Sequence, residues 1–219
     1  MKKFFLFAAA AIAAMTVNAQ MISFSADDEM AQADFPTEKV FSNGNLFLTL
    51  TNVAEGGKFL VDANKTKFGT SLADMWESTD RLNIKGKSDS KTAVKIFVPA
   101  AGKLKVYART SGKTTGVTMT FSQYGGEVAS FELVDTQAIE VEDKGETVKI
   151  FPIKEFDVAQ GDVAVTFTRA MYLYAIEFVA GGQGFENADA AVKAEKVFEN
   201  GQLVIIKNGV KYNALGAQL

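Results

Sequence analysis

Apolar and polar residues alternate along most of this chain, a pattern typical of β-strands with one buried face. In the run 46–50 every second residue is Leu, and in the run 94–98 every second residue is Val or Ile. The chain is therefore predicted to consist mainly of strands. Similar runs occur at 103–109, 117–122, 128–134, 138–141, 147–151, 163–168 and 172–179.

Glycine-containing turns separate these runs at intervals of roughly 8–12 residues, which is the spacing found in β-sandwiches. Only the short segment 70–79 has a helix-like pattern, so the helical crossovers that parallel sheets need are missing. We predict an all-β fold, an antiparallel β-sandwich of the jelly-roll type. The turns are Ala101-Gly102, Ser111-Gly112, Gly125-Gly126, Lys144-Gly145 and Gln160-Gly161.

The first 19 residues have the three parts of an export signal. Lys2 and Lys3 precede an apolar run that ends at Met15, and Val17-Asn18-Ala19 supplies small residues for a cleavage site. The run is shorter than the about 20 apolar residues of a membrane-spanning helix. We expect a signal peptide at 1–19 and a mature chain in the periplasm, at the cell surface or outside the cell, with no transmembrane anchor.

Four further segments are expected after the signal peptide. Residues 20–37 are acidic without apolar periodicity and predict a loosely held lead-in, in which 22–24 could add a short strand. The sandwich is expected at 38–180, followed by a Gly- and Ala-containing linker at 181–194. A small C-terminal β-hairpin is expected at 195–219, because Asn-Gly occurs there twice between β-prone runs.

The absence of two residue types excludes several classes of function. The chain has no His and no Cys, so it lacks a Ser-His-Asp triad, a histidine base, a thiol nucleophile, a thiolate metal site and disulfides. Its formal net charge is −3, and its basic residues are mixed with acidic ones along the sequence. Because phosphate binding needs clustered cations, nucleic acid is not an expected partner.

A small set of aromatic and arginine residues is the candidate binding site. The chain has three arginines against twenty lysines, so each arginine is a candidate for hydrogen bonding through its planar guanidinium. Tyr107 and Arg109 share the outward face of one strand, Arg169 precedes Tyr172, and Trp76 is the single tryptophan. An aromatic face beside an arginine is a way to hold a sugar ring. The alternative is that these aromatic residues pack within the sandwich.

Acidic residues raise the question of a bound metal. Asp62 and Asn64 offer oxygen ligands that suit a structural calcium ion, the one cofactor we consider. Solvated surface charge is the alternative for these residues.

Four core-and-turn stretches resemble a jelly-roll domain of secreted Bacteroidetes proteins, similar to the carbohydrate-binding modules attached to pectate lyases. This resemblance covers 46–180 and implies glycan binding; the catalytic β-helix that often accompanies such modules is missing. The segment 198–219 resembles the end of a C-terminal sorting segment of the same phylum, which implies delivery to the cell surface. The four stretches are 58–62 with 68–69, 81–88, 101–110 and 172–178.

Three functions are compatible with these observations. The leading hypothesis is an exported, non-catalytic protein that binds a polysaccharide or other glycan through Trp76, Tyr107, Arg109, Arg169 and Tyr172. The second is a structural or adhesive protein whose partners are cell-surface proteins. The third is a small polysaccharide lyase that uses Tyr107 or Tyr172 as a base and Arg109 to neutralise a uronate.

Overall fold

The computed structural model describes residues 19–53, 58–89, 91–112 and 116–181, and the backbone of three strands between 195 and 213. The chain divides into two compact units after Gly181. Almost all of the signal peptide and of the linker lies outside the described residues, so those two predictions stay predictions. Within the described residues, no helix is long and apolar enough to cross a membrane.

Strands account for most of the described chain, and its helices are three single 3₁₀ turns at Ala26–Asp28, Gln32–Asp34 and Asp135–Gln137. The strands of the first unit are β1 (Gln20–Ser23), β2 (Glu38–Asn43), β3 (Leu46–Asn52), β4 (Phe59–Phe68), β5 (Trp76–Ile84), β6 (Thr92–Val98), β7 (Gly102–Thr110), β8 (Val117–Gln123), β9 (Gly126–Leu133), β10 (Ile139–Asp143), β11 (Glu146–Phe151), β12 (Lys154–Val158), β13 (Gly161–Phe167) and β14 (Met171–Ala180). Those of the second unit are β15 (Glu195–Glu199), β16 (Gln202–Lys207) and β17 (Val210–Asn213).

Two sheets form the first unit. The front sheet has the order β10-β11-β4-β5-β14-β7-β12, with β1 also paired to β14, and the back sheet has the order β2-β3-β6-β13-β8-β9. All pairings in the two sheets are antiparallel except that of β11 with β4, which is parallel. The predicted antiparallel β-sandwich is confirmed.

The strand order is that of a jelly roll. If the strands β5, β6, β7, β8, β9, β12, β13 and β14 are counted from first to eighth, the front sheet contains the first, eighth, third and sixth as neighbours. The back sheet contains the second, seventh, fourth and fifth. Consecutive strands thus pass between the two sheets as in a double Greek key. The additional strands do not change this order: β4, β11 and β10 extend the front sheet beyond β5, and β3 and β2 extend the back sheet beyond β6.

The main core lies between the inner faces of the two sheets. Leu46, Leu48 and Leu50 of the back sheet are fully buried, and β3 pairs with β6 so that Leu48 faces Ile96. The alternation seen in the sequence therefore marks the inner face correctly, because successive side chains of a strand point to opposite faces. The front sheet contributes buried residues such as Leu104 to the same core.

The lead-in is part of the sandwich and not loosely held. β1 pairs with β14, where Met21 faces Glu177. Ile22, Phe24 and Phe35 are each less than a tenth exposed and belong to the main core. The sequence signal was weak because these apolar residues are spaced irregularly through two 3₁₀ turns.

The segment 70–79 is a turn followed by a strand, so the prediction of a helix there is wrong. Asp74 accepts hydrogen bonds from the backbone N–H and the hydroxyl groups of both Thr70 and Ser71. These hydrogen bonds, those of the side chains above all, lower the pKa of Asp74 to about 2. Short polar side chains that bond to nearby backbone favour a turn over a helix. β5 then begins at Trp76.

The second unit is an antiparallel sheet in which β16 lies between β15 and β17. Glu199 pairs with Gln202, and Lys207 pairs with Val210. The predicted small hairpin is thus present together with a third strand. A role of this unit in sorting stays a prediction.

Candidate functional site

The candidate site lies on the outer face of the front sheet, the face directed away from the main core. On β7, Val106 and Ala108 belong to the main core, so Tyr107 and Arg109 point to this outer face. β5 pairs with β14 only at 171–173, beyond which residues of β4, β5 and β11 pack against the outer face of β7 and β14. A second, smaller core results from this packing.

Aromatic rings make up most of this second core. The Trp76 ring lies 4.9 Å from the Tyr107 ring and 6.3 Å from the Phe68 ring, measured between centroids. Phe68 also packs edge-on against Tyr107 at 5.7 Å. Phe151 and Tyr174 complete the cluster. Trp76 is half-buried and keeps part of its ring at the surface, whereas Phe68 is fully buried.

Tyr107 is a packing residue in this arrangement. It is 5% exposed, and its hydroxyl donates a 2.6 Å hydrogen bond to Glu177, whose carboxylate also pairs with Lys105 at 3.3 Å. Burial, together with the Glu177 carboxylate, raises the pKa of Tyr107. Its ring is covered by Trp76 and Phe68, so its part in the site is to hold Trp76.

Arg81 connects three strands on the outer face. Its Nε donates to Asp62 Oδ1 at 2.7 Å and its Nη2 donates to Asp62 Oδ2 at 3.2 Å. The guanidinium carbon lies 3.7 Å from the centroid of the Tyr172 ring. Although burial opposes the charged form, the hydrogen bond that Arg81 donates to Asp62 and the negative charge of Asp62 raise the pKa of Arg81.

A buried polar group lies next to this ion pair. The hydroxyl of Tyr174, a residue with no exposed surface, donates to Asn64 Oδ1 at 2.8 Å and accepts from the Thr66 hydroxyl at 2.9 Å. Burial raises the pKa of Tyr174. These bonds satisfy a phenol that would otherwise be buried without partners, which is costly.

The two residues named for calcium are engaged by protein donors. Both carboxylate oxygens of Asp62 accept from Arg81, and the side-chain oxygen of Asn64 accepts from Tyr174. In the part of the chain that the structure describes, no group of three or more acidic residues is placed to hold a metal ion.

Arg109 lies on the opposite side of Tyr172 from Arg81, because Tyr172 pairs with Arg109 across β14 and β7. Its guanidinium carbon is 4.4 Å from the centroid of the Phe151 ring, and its Nη2 pairs with Asp135 at 3.2 Å. Its Nε is buried and has no hydrogen-bond partner among the described residues. The Nε–H of Arg109 therefore donates no hydrogen bond to any described residue.

An open cavity of about 260 Å³ borders Arg109. Its wall contains four cations and one carboxylate, together with the edge of the aromatic cluster. We name it the basic cavity and define it by Lys65, Lys67, Glu77, Arg109, Lys149 and Phe151.

Four of the five residues predicted for binding lie on this outer face, and the fifth lies elsewhere. Trp76, Tyr107, Arg109 and Tyr172 are brought together by β5, β7 and β14. Arg169 is exposed and lies in a separate recess of about 390 Å³, which also contains Lys87, Ser111 and Gly112. The prediction that Arg169 shares the site with the other four has no support from this arrangement.

Sequence reasoning missed several residues of the site. Arg81 was one of only three arginines, and that rarity was a usable signal. No comparable sequence signal marks Lys65, Lys67 and Lys149, because these lysines come together only through the parallel pairing of β11 with β4. Lysines on exposed strand positions are otherwise read as ordinary surface charge.

No family model matches this chain, and no curated protein matches it. Solved structures give low-scoring matches. One concerns the Ruminococcus flavefaciens cellulosome and an expansion in glycan recognition, with 16% identity over 74% of this chain and 94% of that chain, and a TM-score of 0.32. Another is the catalytic unit of a thermostable GH87 α-1,3-glucanase from Streptomyces thermodiastaticus, with 17% identity over 65% of this chain and 30% of that chain, and a TM-score of 0.32.

A GH87 α-1,3-glucanase catalytic domain in complex with tetrasaccharides also matches, with 8% identity over 65% of this chain and 30% of that chain, and a TM-score of 0.31. The matched region spans less than a third of the two glucanase structures. All of these TM-scores are below 0.5.

Proposed function

We propose that this protein is an exported, non-catalytic β-sandwich that binds a polysaccharide through the outer face of its front sheet. The observation that carries the proposal is that one aromatic cluster on this face has a half-buried Trp76 at its edge and the guanidinium of Arg109 over its Phe151 ring, where Arg109 borders an open cavity. Aromatic rings pack against the C–H faces of sugars, and guanidinium groups hydrogen-bond their hydroxyls or carboxylates.

The roles in this site differ from residue to residue. Trp76 contacts the sugar, and Tyr107 holds the tryptophan ring in place through its 4.9 Å edge contact. Arg109 donates hydrogen bonds, with its guanidinium plane fixed over Phe151. Tyr172 is held by Arg81 and separates the two guanidinium groups. Preorganised side chains reduce the entropy lost on binding.

A single shallow site of this kind is expected to bind weakly. One tryptophan and one arginine supply a small contact area, so a dissociation constant on the order of 0.1–1 mM is reasonable for one site. Many sites along a polysaccharide would raise the effective retention of the protein.

The lyase hypothesis is less well supported by the same geometry. A catalytic base has to lie within hydrogen-bond reach of the proton that it removes. Tyr107 is buried and its hydroxyl donates to Glu177, while its pKa is raised, so it is a poor base. Tyr172 is covered on one side by Arg81.

An array of neutral and acidic glycans, probed with the purified protein, tests the proposal. Selective binding is expected, with a change of Trp76 fluorescence when the bound glycan is titrated. Trp76→Ala and Arg109→Gln should weaken retention, whereas Tyr124→Ala, at an exposed turn of the back sheet, should not. Circular dichroism of each variant checks that it is folded. A blank array would contradict glycan binding and favour the adhesive alternative, which a pull-down of cell-surface proteins then tests.

Cell fractionation tests the expected export. The mature protein should start near Gln20 and be found outside the cytoplasm. Deletion of 195–219 should reduce the surface fraction if this segment acts in sorting. Full-length protein in the cytoplasm would contradict export.

A further inference from the structure

We infer that the basic cavity binds the negatively charged group of an acidic polysaccharide, either the carboxylate of a uronate or a sulfate ester. This inference rests on the proposed function and narrows its ligand to anionic glycans. The juxtaposition that carries it is that of three lysines and Arg109 around one aromatic residue, Phe151.

Three strands supply the cations of the cavity wall. Lys65 and Lys67 come from β4, Lys149 from β11 and Arg109 from β7. The parallel pairing of β11 with β4 sets Ile150 opposite Lys67, so Lys149 lies beside this part of β4 and lines the cavity together with Lys65 and Lys67. Because the four cations lie on ordered strands, their positions do not depend on a flexible loop.

Three of the four cations have an ion-pair partner, and Lys65 is the fourth. Lys67 pairs with Glu77 at 3.7 Å, Arg109 pairs with Asp135 at 3.2 Å, and Lys149 pairs with Glu140 at 3.1 Å with both side chains more than half exposed. Exposed pairs of this kind are weak and exchange readily. Lys65 forms no ion pair with any residue in the described ranges.

The local charge is opposite to that of the whole molecule. The wall has four cations, and the carboxylates in it or paired with it are Glu77, Asp135 and Glu140, which leaves a local excess of one positive charge, whereas the chain has a net charge of −3. An acidic protein does not attract polyanions through its overall charge, so binding of an anionic polymer has to come from such a local cluster. Its strength should then fall with ionic strength.

Arg109 is the group of the basic cavity that best suits a planar anion. The guanidinium lies over the Phe151 ring at 4.4 Å, and its Nε has no acceptor in the described structure. A planar guanidinium suits a carboxylate or sulfate. Phe151 is buried, so its part is to hold the guanidinium plane. The volume of about 260 Å³ is just below the usual range of ligand pockets, about 300–1,000 Å³, and fits a single charged sugar unit.

Binding of the purified protein to four soluble polymers tests the inference. The polymers are polygalacturonate, heparin, neutral dextran and polyglutamate. We expect binding to polygalacturonate or heparin that decreases with added salt, and little binding to polyglutamate, which has carboxylates but no sugar. Preference for polygalacturonate assigns a uronate, and preference for heparin assigns a sulfate ester.

The double variant Lys65→Gln/Lys149→Gln should weaken binding to the preferred polymer by about tenfold, since each exposed charge contact is modest. The variant Lys65→Arg/Lys149→Arg should retain most of the affinity. Lys95→Gln is the matched control, because Lys95 is equally exposed but lies on the back sheet.

The outcomes separate the two proposals. Binding to neutral glycans with no effect of the double variant would overturn the anionic ligand and leave glycan binding intact. Equal binding to polyglutamate, or an equal effect of Lys95→Gln, would overturn a built site. No binding to any glycan would overturn both proposals.

Discussion

The guanidinium of Arg81 lies 3.7 Å from the ring centroid of Tyr172 while two of its nitrogens donate to Asp62. One side chain of β5 thereby holds a carboxylate of β4 and a ring of β14. This contact lies near 171–173, where β5 is still paired with β14 and beyond which β4 and β5 pack over the outer face. The Arg81–Asp62 ion pair therefore holds β4, β5 and β14 together at the place where the second core begins.

We expect Arg81→Lys to destabilise the protein by about 1–3 kcal/mol. A lysine keeps the charge but loses both the bidentate hydrogen bond and the planar contact with the ring, and it leaves Asp62 partly unpaired. Urea unfolding measures the effect. Arg169→Lys is the control, because Arg169 is exposed in a turn, and it should change stability by less than about 0.5 kcal/mol. Equal effects of the two substitutions would contradict a structural role of the Arg81 ion pair.

Tyr107 and Tyr174 should resist ionisation in alkaline solution. Burial raises the pKa of both above the ordinary value of 10.0. A raised pKa in the folded state means that the folded protein keeps these protons longer than the unfolded chain does. Their contribution to stability is therefore complete below about pH 10 and is lost as the pH rises further.

A spectrophotometric titration of phenolate absorbance checks this expectation. Two of the five tyrosines of the chain should ionise late or only with unfolding. Tyr107→Phe should remove one late group and make the loss of stability above pH 10 shallower. Tyr124→Phe, at a position that is 81% exposed, should leave both late groups in place. Simultaneous ionisation of all five tyrosines in the folded protein would contradict burial of these two hydroxyls.

The fold was predictable from sequence because the inner faces of the strands follow strict alternation, as at Leu46, Leu48 and Leu50. The site was only partly predictable. Alternation identified Tyr107 as turned away from the main core, but the sequence contains no sign that Trp76 and Phe68 would cover it. The burial of Tyr107 depends on residues more than thirty positions away, and it follows from where β5 stops pairing with β14.

The residues of the basic cavity show a second limit of sequence reasoning. Lys149 approaches Lys65 and Lys67 because β11 runs parallel to β4, and a parallel pair cannot be deduced from local turn signals.

The helix-like pattern at 70–79 gave a wrong prediction for a local reason. The backbone N–H groups of Thr70 and Ser71 donate hydrogen bonds to the side chain of Asp74. Hydrogen bonds from side chain to backbone override a weak apolar periodicity.

We expect Lys144→Asn to stabilise the protein. Lys144 and Gly145 connect β10 and β11 with φ angles of 53° and 83°, a two-residue turn with both residues in the left-handed region. Asn tolerates this conformation better than Lys, and Asn-Gly is the preferred sequence for such turns. A gain of about 0.5–1 kcal/mol in the free energy of unfolding is expected. Lys95→Asn is a control in a strand that is regularly paired on both sides, and it should not stabilise. A loss of stability in Lys144→Asn would contradict the assigned turn.

Calcium should have little effect on the stability of the first unit through Asp62 and Asn64. Both oxygens of Asp62 accept from Arg81, so a cation at this carboxylate would have to displace a bidentate, partly buried guanidinium and leave it unpaired. A site that bound calcium would stabilise the folded state by about 2.7 kcal/mol at a concentration one hundred times its dissociation constant. Thermal unfolding with calcium and with a chelator measures the difference, and we expect the two midpoints to coincide. A higher midpoint with calcium that disappears in Asp62→Asn would show that the ion displaces Arg81 and that calcium is bound at this carboxylate after all.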